Sequence, residues 1–250
     1  MELFFTKRGR GEPLVLLHGL GSSHLDWEEQ LPLLEQHFTV YALDFRGHGR
    51  SPRPDGPYSI PMFAEDVKEL MGHEKIESAI FLGISMGGMV AMQLAVDEPS
   101  KVKKLVLVNT TPEVLIQSKK QKYLLYSRLA MIHLLGIRGL GEIGSRKLLP
   151  GKRLQSARKR LCRRFKKNDK ESYLAALNAI IGWSVKHDLY KIVAPTLVIS
   201  GDLDYTTPSE KKEWVAMIPQ SEMVIIENSR HVSNYDQPEA FNKALAQFLF

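Results

Sequence analysis

One cysteine, Cys162, is all that the 250 residues contain. No disulfide can form within the chain, which excludes a disulfide-stapled secreted fold and is compatible with a reducing intracellular compartment. Long apolar runs are missing too. Nowhere do roughly 18 uncharged apolar residues follow one another, so no membrane span is expected. The opening MELFFTKRGRGEP has neither the apolar segment nor the small-residue cleavage site of a signal peptide, and a cytoplasmic location is expected. No internal repeat or low-complexity segment stands out. Carboxylates are scarce in one region only. Residues 112–191 hold 19 Lys plus Arg against 5 Asp plus Glu, a balance of +14 inside a chain of net charge +6. The remainder carries 15 against 23, or −8, and such a split points to two parts with different tasks.

What is present is ordinary for a soluble globular protein: 44% apolar and 25% charged residues. The length fits one large α/β domain, or a core with an inserted subdomain. Residues 14–17 are continuously apolar, the pattern of a strand buried on both faces. Similar strands are expected over 39–45, 79–84, 104–109, 196–200 and 222–227, with an edge strand over 2–6. Helices are expected between them. Residues 24–36 carry Trp27, Leu31 and Leu34 on one face, residues 61–72 carry Phe63, Val67, Leu70 and Met71, and a helix over 209–217 precedes the last strand. The terminal helix presents Phe241, Leu245, Phe248 and Leu249. Strands alternating with helices indicate βαβ units and a mostly parallel sheet. The alternation stops between residues 112 and 190, where no strand is expected. Helical patterns such as Leu154, Ala157, Leu161 and Phe165 take over, and the glycines at 136, 139, 141 and 144 separate two helical pieces. These glycines follow no strand, so they do not read as a phosphate-binding fingerprint.

The most informative stretch is AIFLGISMGGMVAMQLA, residues 79–95. An apolar strand runs through the tight turn GISMG into an apolar helix. A serine hydroxyl at its ordinary pKa is a poor nucleophile, so it must be held exposed at such a turn, beside a base and facing backbone donors. Ser85 is that candidate, and Gly83 and Gly87 occupy the flanking places where only small residues fit. In an open parallel sheet, functional groups gather at the carboxyl ends of the strands. Reading those ends collects His18 to Gly21, Asp44 to Ser51, Ser85, Asn109, Asp202 with Asp204, and His231. A serine, an acid and a histidine arrive in that order. His231 is the histidine in the loop after the last strand, whereas His18 reads as a loop-shaping residue. The backbone N–H of Met86, next to the serine at a helix amino terminus, is one candidate donor to an oxyanion.

HGLG at 18–21, DFRGHGRS at 44–51, GISMGG at 83–88, PTLVISGDLD at 195–204, and His231 with Gln237-Pro238 downstream resemble the α/β-hydrolase fold superfamily across the whole chain. The resemblance is to its compact cofactor-free serine esterase and lactonase branch, including pimeloyl-carrier-protein methyl ester esterases and 3-oxoadipate enol-lactonases. It implies an eight-stranded, mostly parallel sheet flanked by helices, formed by residues 1–111 and 191–250, with residues 112–190 inserted as a helical cap. It also implies ester cleavage by a Ser85–His231–Asp204 triad through an acyl-enzyme, without metal or organic cofactor. Asp202 and Asp204 compete for the acid, and the fourth position of the G-x-x-D turn selects Asp204. Leu20 is implied as the second oxyanion donor through its backbone N–H. Asn109 stands where some relatives carry the acid, and Arg230 stands where relatives usually have glycine. Arg46 suits a loop salt bridge, or a substrate carboxylate.

Inner cap residues choose the acyl group in relatives, which nominates Leu115, Trp183 and the apolar run Tyr123 to Leu135, with cap packing as the equal alternative, and His24, Tyr205 and Val232 at the border of the pocket. The basic run RKRLCRRFKK at 158–167 suits an acidic acyl carrier protein, a coenzyme A thioester or an anionic membrane surface, and equally an ordinary solvated helix face. Nucleic acid is not expected, because no stacking aromatics accompany the charge. Two rival readings stay open: carbon–carbon bond hydrolysis or a lyase reaction with the triad as base, and a non-catalytic ligand-binding member.

Overall fold

Leu14, Val15, Leu16 and Leu17 have no exposed surface, so the sheet that contains them must be covered on both faces. The structure, a computed structural model, describes residues 1–250. Its strands are β1 (Phe5–Arg8), β2 (Glu12–Leu17), β3 (Phe38–Leu43), β4 (Ala79–Ile84), β5 (Val102–Val108), β6 (Thr196–Gly201) and β7 (Ser221–Ile226). They lie in the order β1-β3-β2-β4-β5-β6-β7, parallel except for β1. The sheet is that of the α/β-hydrolase expectation with seven strands instead of eight. The edge strand begins at Phe5, because the Phe4 N–H donates to the Ser51 hydroxyl at 2.9 Å rather than to a further strand.

Successive side chains alternate between two cores. Val15, Leu17, Tyr41, Leu43, Phe81, Leu105 and Leu107 face a cluster of 37 buried residues. Helices α2 (Ile60–His73) and α3 (Met86–Asp97) pack there. Leu14, Leu16, Val40, Ala42, Ile80, Leu82, Val106 and Val108 face a second cluster of 19, closed by Trp27, Leu34 and the terminal helix, Pro238–Leu249. The expected continuous helix over 24–36 is broken. A 3-10 turn, His24–Trp27, precedes the short α1, Leu31–Leu34. Pro32 explains the break: inside a longer helix it would lack an N–H and clash with the carbonyl four residues back. Trp27 and Leu34 are buried nonetheless.

The stretch between β5 and β6 holds α4 (Lys119–Leu148), α5 (Gln155–Phe165) and α6 (Lys170–Ile180). Its two ends meet at an isolated antiparallel bridge, Glu113 with Ser184, so the expectation of no strand pairing there is corrected by one bridge at the neck. Only Gly136 breaks α4, at φ 64 and ψ −175, a conformation that suits glycine. Gly139, Gly141 and Gly144 lie within the second helical piece. The stripe of α5 packs on loops of the sheet: Ala157 and Leu161 join Val232 and Tyr235, and Phe165 lies against Gly21. No helix is long and apolar enough to cross a membrane.

Because β2 lies between β3 and β4, the chain order reverses beside it, and the carboxyl ends of β2 and β4 border the crevice where ligands of such sheets bind. Leu17 pairs with Gly83, which sets the 18–21 loop next to Ser85.

Candidate active site

Ser85 sits between β4 and α3 at φ 53 and ψ −117. Positive φ in a residue with a Cβ costs on the order of 1–3 kcal/mol and persists only where its surroundings enforce it. Here they do. The Ser85 N–H donates to the Val108 carbonyl at 2.9 Å, and its own carbonyl accepts from Gly88 N, Met89 N and the Thr110 hydroxyl at 3.0, 3.2 and 2.8 Å. The elbow also needs bare backbone on both sides. A Cβ on Gly83 would lie 2.4 Å from the Gly87 carbonyl oxygen, and one on Gly87 would lie 2.1 Å from that of Leu17.

His231, in the loop after β7, reaches Ser85 Oγ with Nε2 at 3.0 Å. Its Nδ1 lies 2.6 Å from Asp204 Oδ1. A carboxylate has no proton to give, so Nδ1 carries the hydrogen and Nε2 is left to accept from the serine hydroxyl. Burial raises the pKa of Asp204, but the His231 and Lys211 beside it outweigh burial and hold it down at about 2. Asp202 is occupied elsewhere: its two oxygens accept from Ser229 N at 2.9 Å and Asn228 N at 3.0 Å. The two competing carboxylates thus divide, one tying the turn after β7 and one meeting the imidazole.

Around these groups the loops are held by buried polar side chains. Asn109 donates through Nδ2 to the carbonyls of Arg230 and His231, both at 3.0 Å, and its Oδ1 accepts from Gly201 N at 2.8 Å. It therefore links the loop after β5 to the end of β6 and to the loop after β7. Arg230 keeps φ out of the positive region, and its N–H donates to Asp236 at 2.6 Å. His18 is buried and shapes its loop: Nδ1 donates to the Gly19 carbonyl at 2.8 Å while Nε2 accepts from Phe45 N at 3.1 Å. Burial pushes its pKa down, which keeps the ring neutral. Arg46 pairs with Asp66 of α2 rather than facing the serine.

The positions expected to supply backbone donors flank Ser85. Met86 is the first residue of α3, where an N–H has no partner within the helix. Gly19, adjoining Leu20, comes so close that a Cβ on it would lie 3.5 Å from Ser85 Cβ. Five of the expected pocket residues separate. The Tyr205 ring lies 4.4 Å from the His231 ring, and Val232 packs under α5. Leu115 is half-buried in the strand-like neck of the insertion. His24 is turned away to Asp44 at 2.8 Å and to the Phe4 ring, and Trp183 is packed in the larger core with its indole N–H on Gln93 at 2.8 Å. No group of three or more His, Cys, Asp or Glu side chains is arranged to hold a metal ion.

One residue of the site escaped the sequence reading. Lys211, in α7 (Pro208–Val215), has no exposed surface and donates to the second oxygen of Asp204. A signal was present: Lys211, Trp214, Val215 and Ile218 are spaced i, i+3, i+4, i+7, so the lysine falls on the buried stripe of its helix.

The same fold occurs in known proteins. Over 236 residues, 93% of this chain and 86% of the relative, the sequence is 30% identical to 3-oxoadipate enol-lactonase 2 of Acinetobacter baylyi. It is 27% identical to the pimeloyl-[acyl-carrier protein] methyl ester esterase of Nitrosospira multiformis, over 99% of this chain and 98% of that one. Among solved structures, the enol-lactonase from Burkholderia xenovorans superposes with a TM-score of 0.91 at 28% identity, covering 99% of this chain and 96% of that one. The profile of the alpha/beta hydrolase fold matches residues 12–238, from the start of β2 to the start of the terminal helix, and the chain belongs to that family.

Proposed function

We propose that this protein is a carboxylic ester hydrolase whose nucleophile is Ser85, with His231 as general base and Asp204 as the acid that orients it. The observation that carries the reading is the unbroken relay from Ser85 Oγ to His231 Nε2 (3.0 Å) and from His231 Nδ1 to Asp204 (2.6 Å). These residues lie on separate loops, and a serine beside an oriented imidazole is the arrangement that acyl transfer requires. Relatives named as an enol-lactonase and a methyl ester esterase favour esters and lactones as substrates.

Ser85 Oγ attacks the acyl carbon as its proton passes to His231 Nε2. The oxyanion that forms lies against the N–H groups of Met86 and Leu20, each such donor lowering the barrier by about 3 kcal/mol. Collapse expels the alkoxide, which takes the proton from His231 and leaves an acyl-Ser85. Water then attacks with His231 again as base, releasing the carboxylic acid and restoring the serine. The ionised Asp204 keeps the imidazole in the required tautomer and stabilises its cationic form.

The insertion acts in this reading as a cap, because α5 reaches loops after both β2 and β7. A carrier-linked or coenzyme A-linked acyl group has one observation behind it: in the basic run Arg160, Arg164 and Lys166 are ion-paired and Arg158 is bound to the Leu149 and Gly151 carbonyls, whereas Lys159, Arg163 and Lys167 carry no ion pair. Hydrolysis of a short nitrophenyl ester, a small lactone and an acyl-carrier ester, each at two salt concentrations against Ser85→Ala, tests both levels. Turnover of the ester or lactone lost in Ser85→Ala supports the hydrolase. A carrier preference abolished by salt assigns the three free cations. Turnover unchanged in Ser85→Ala would remove the reading.

A further inference from the structure

An ammonium group is expensive to bury, since it gives up its hydration on leaving water. Lys211 is buried completely, and its side chain keeps 1% of its surface. It lies in the first half of α7, whose start is fixed by a capping box between Thr207 and Glu210. The other inward residues, Trp214 and Val215, are apolar. A methionine of similar volume would suit this helix face, and replacing buried ionic groups by apolar ones is often neutral or stabilising. Packing therefore does not account for a lysine.

Its partners do. The three N–H bonds of the ammonium meet Asp204 Oδ2, the Ser200 hydroxyl at 2.9 Å and Asn109 Oδ1 at 3.4 Å. Ser200 lies in β6, Asn109 follows β5, and Asp204 lies in the loop after β6, so Nζ is tied both to the sheet and to the carboxylate. The oxygens of Asp204 are thereby divided, Oδ1 to His231 and Oδ2 to Lys211. Burial pushes the Lys211 pKa down while the charge of Asp204 draws it up.

We propose that Lys211 is a positioning residue for the reaction, its buried ammonium holding the Asp204 carboxylate in place with one oxygen turned to His231. This rests on the roles given above to Ser85, His231 and Asp204. Lys211 acts only through Asp204, which distinguishes it from a residue that merely stabilises the fold. Losing it leaves Oδ2 without its buried partner and frees the carboxylate to rotate, so the imidazole loses its fixed orientation in the transition state more than substrate loses its binding site. Misplacement of a catalytic group on the ångström scale costs up to about a hundredfold in rate.

The experiment is a double-mutant cycle on a soluble ester, with Lys211→Met and Asp204→Asn made singly and together. Lys211→Met is expected to lower kcat by roughly ten- to a hundredfold with KM within about twofold, and to lower it no further in the Asp204→Asn background. Lys211→Gln, which keeps a donor for Asp204, is expected to retain more activity than Lys211→Met, and it carries the same cycle if the methionine variant does not fold. An equal loss in both backgrounds, or a raised KM with kcat unchanged, would overturn the proposal and leave the triad reading standing. Wild-type turnover by Asp204→Asn alone would overturn the triad reading and this proposal with it.

Discussion

The loops at the carboxyl edge of the sheet and the helical insertion above them are held by different forces. At the sheet edge, position is set by backbone and buried polar groups: strained Ser85, bare Gly83 and Gly87, and Asn109 bonded to the end of β6 and to the loop after β7. The insertion is rooted in the larger core through Ala176, Ala179, Trp183, Val185 and Leu189, and its outer helices are fastened by small clusters and ion pairs near the surface. Arg160 pairs with Glu29, and Arg164 reaches Glu28, the Leu25 carbonyl and the Tyr235 hydroxyl. Two cations of the basic run, Arg160 and Arg164, are thus paired with acidic residues of the core, while Arg146, Lys166, Lys186 and Lys191 pair within residues 112–191. A region fixed by sterics resists changes of solvent, whereas one fastened by exposed ion pairs responds to salt. The proposed chemistry belongs to the first region and the proposed carrier contact to the second.

The strongest way to break this comparison is to remove function from each side. Ser85→Ala is expected to lower kcat/KM for a soluble ester by about 10⁴-fold or more, with the thermal midpoint close to wild type. Joint replacement of Lys159, Arg163 and Lys167 by serine is expected to leave that ester's turnover unchanged. Comparable losses in the two variants would erase the distinction.

Glycines sharpen the contrast in stability. Gly87→Ala places a methyl group against the Leu17 backbone and is expected to cost about 2–4 kcal/mol in urea unfolding. Gly144 of α4 has open space around its Cβ direction. Gly144→Ala is expected to stabilise by up to about 1 kcal/mol through helix propensity. A tolerated Gly87→Ala would show that the elbow is softer than its contacts indicate.

Acidity probes the sheet edge next. The folded pKa of Asp204, about 2, lies below its ordinary value of 3.8. Its contribution of about 2 kcal/mol is therefore present above the ordinary value and fades as pH falls through the folded one. The stability gap between wild type and Asp204→Asn in urea should narrow between pH 5 and pH 2. A gap independent of pH in that window would contradict the pairing of Asp204 with His231 and Lys211.

The smallest effect is expected at the insertion. Arg160 and Glu29 are each more than a third exposed, at 35% and 41%, so Arg160→Ala should cost no more than about 1 kcal/mol, and less in high salt. Faster amide exchange in residues 24–29, without a change in the 83–88 elbow, would locate the fastening.

How much of this was legible in sequence follows the same division. The elbow at Ser85 and the loop positions of His231 and Asp204 were readable because strand ends and tight turns leave local marks. Two neighbouring carboxylates, Asp202 and Asp204, were not separable by physics alone, since which one turns inward depends on the distant Asn228 and Ser229 amides. Lys211 was hidden by its charge, which reads as solvated unless its place on an apolar stripe is weighed. The basic run read as open to a partner because Glu28 and Glu29, some 130 residues earlier, pair with it only in the folded chain. The helix expected over 24–36 was overdrawn: its apolar spacing was read without weighing Pro32, which breaks it.

The central claim, that Ser85 is a nucleophile activated by His231, is tested most directly by a fluorophosphonate probe and mass mapping of the labelled peptide. The expected result is one label per folded chain, on Ser85, with labelling slowed strongly in His231→Gln and absent after unfolding. A label on another serine, or none at all while ester turnover continues, would contradict it.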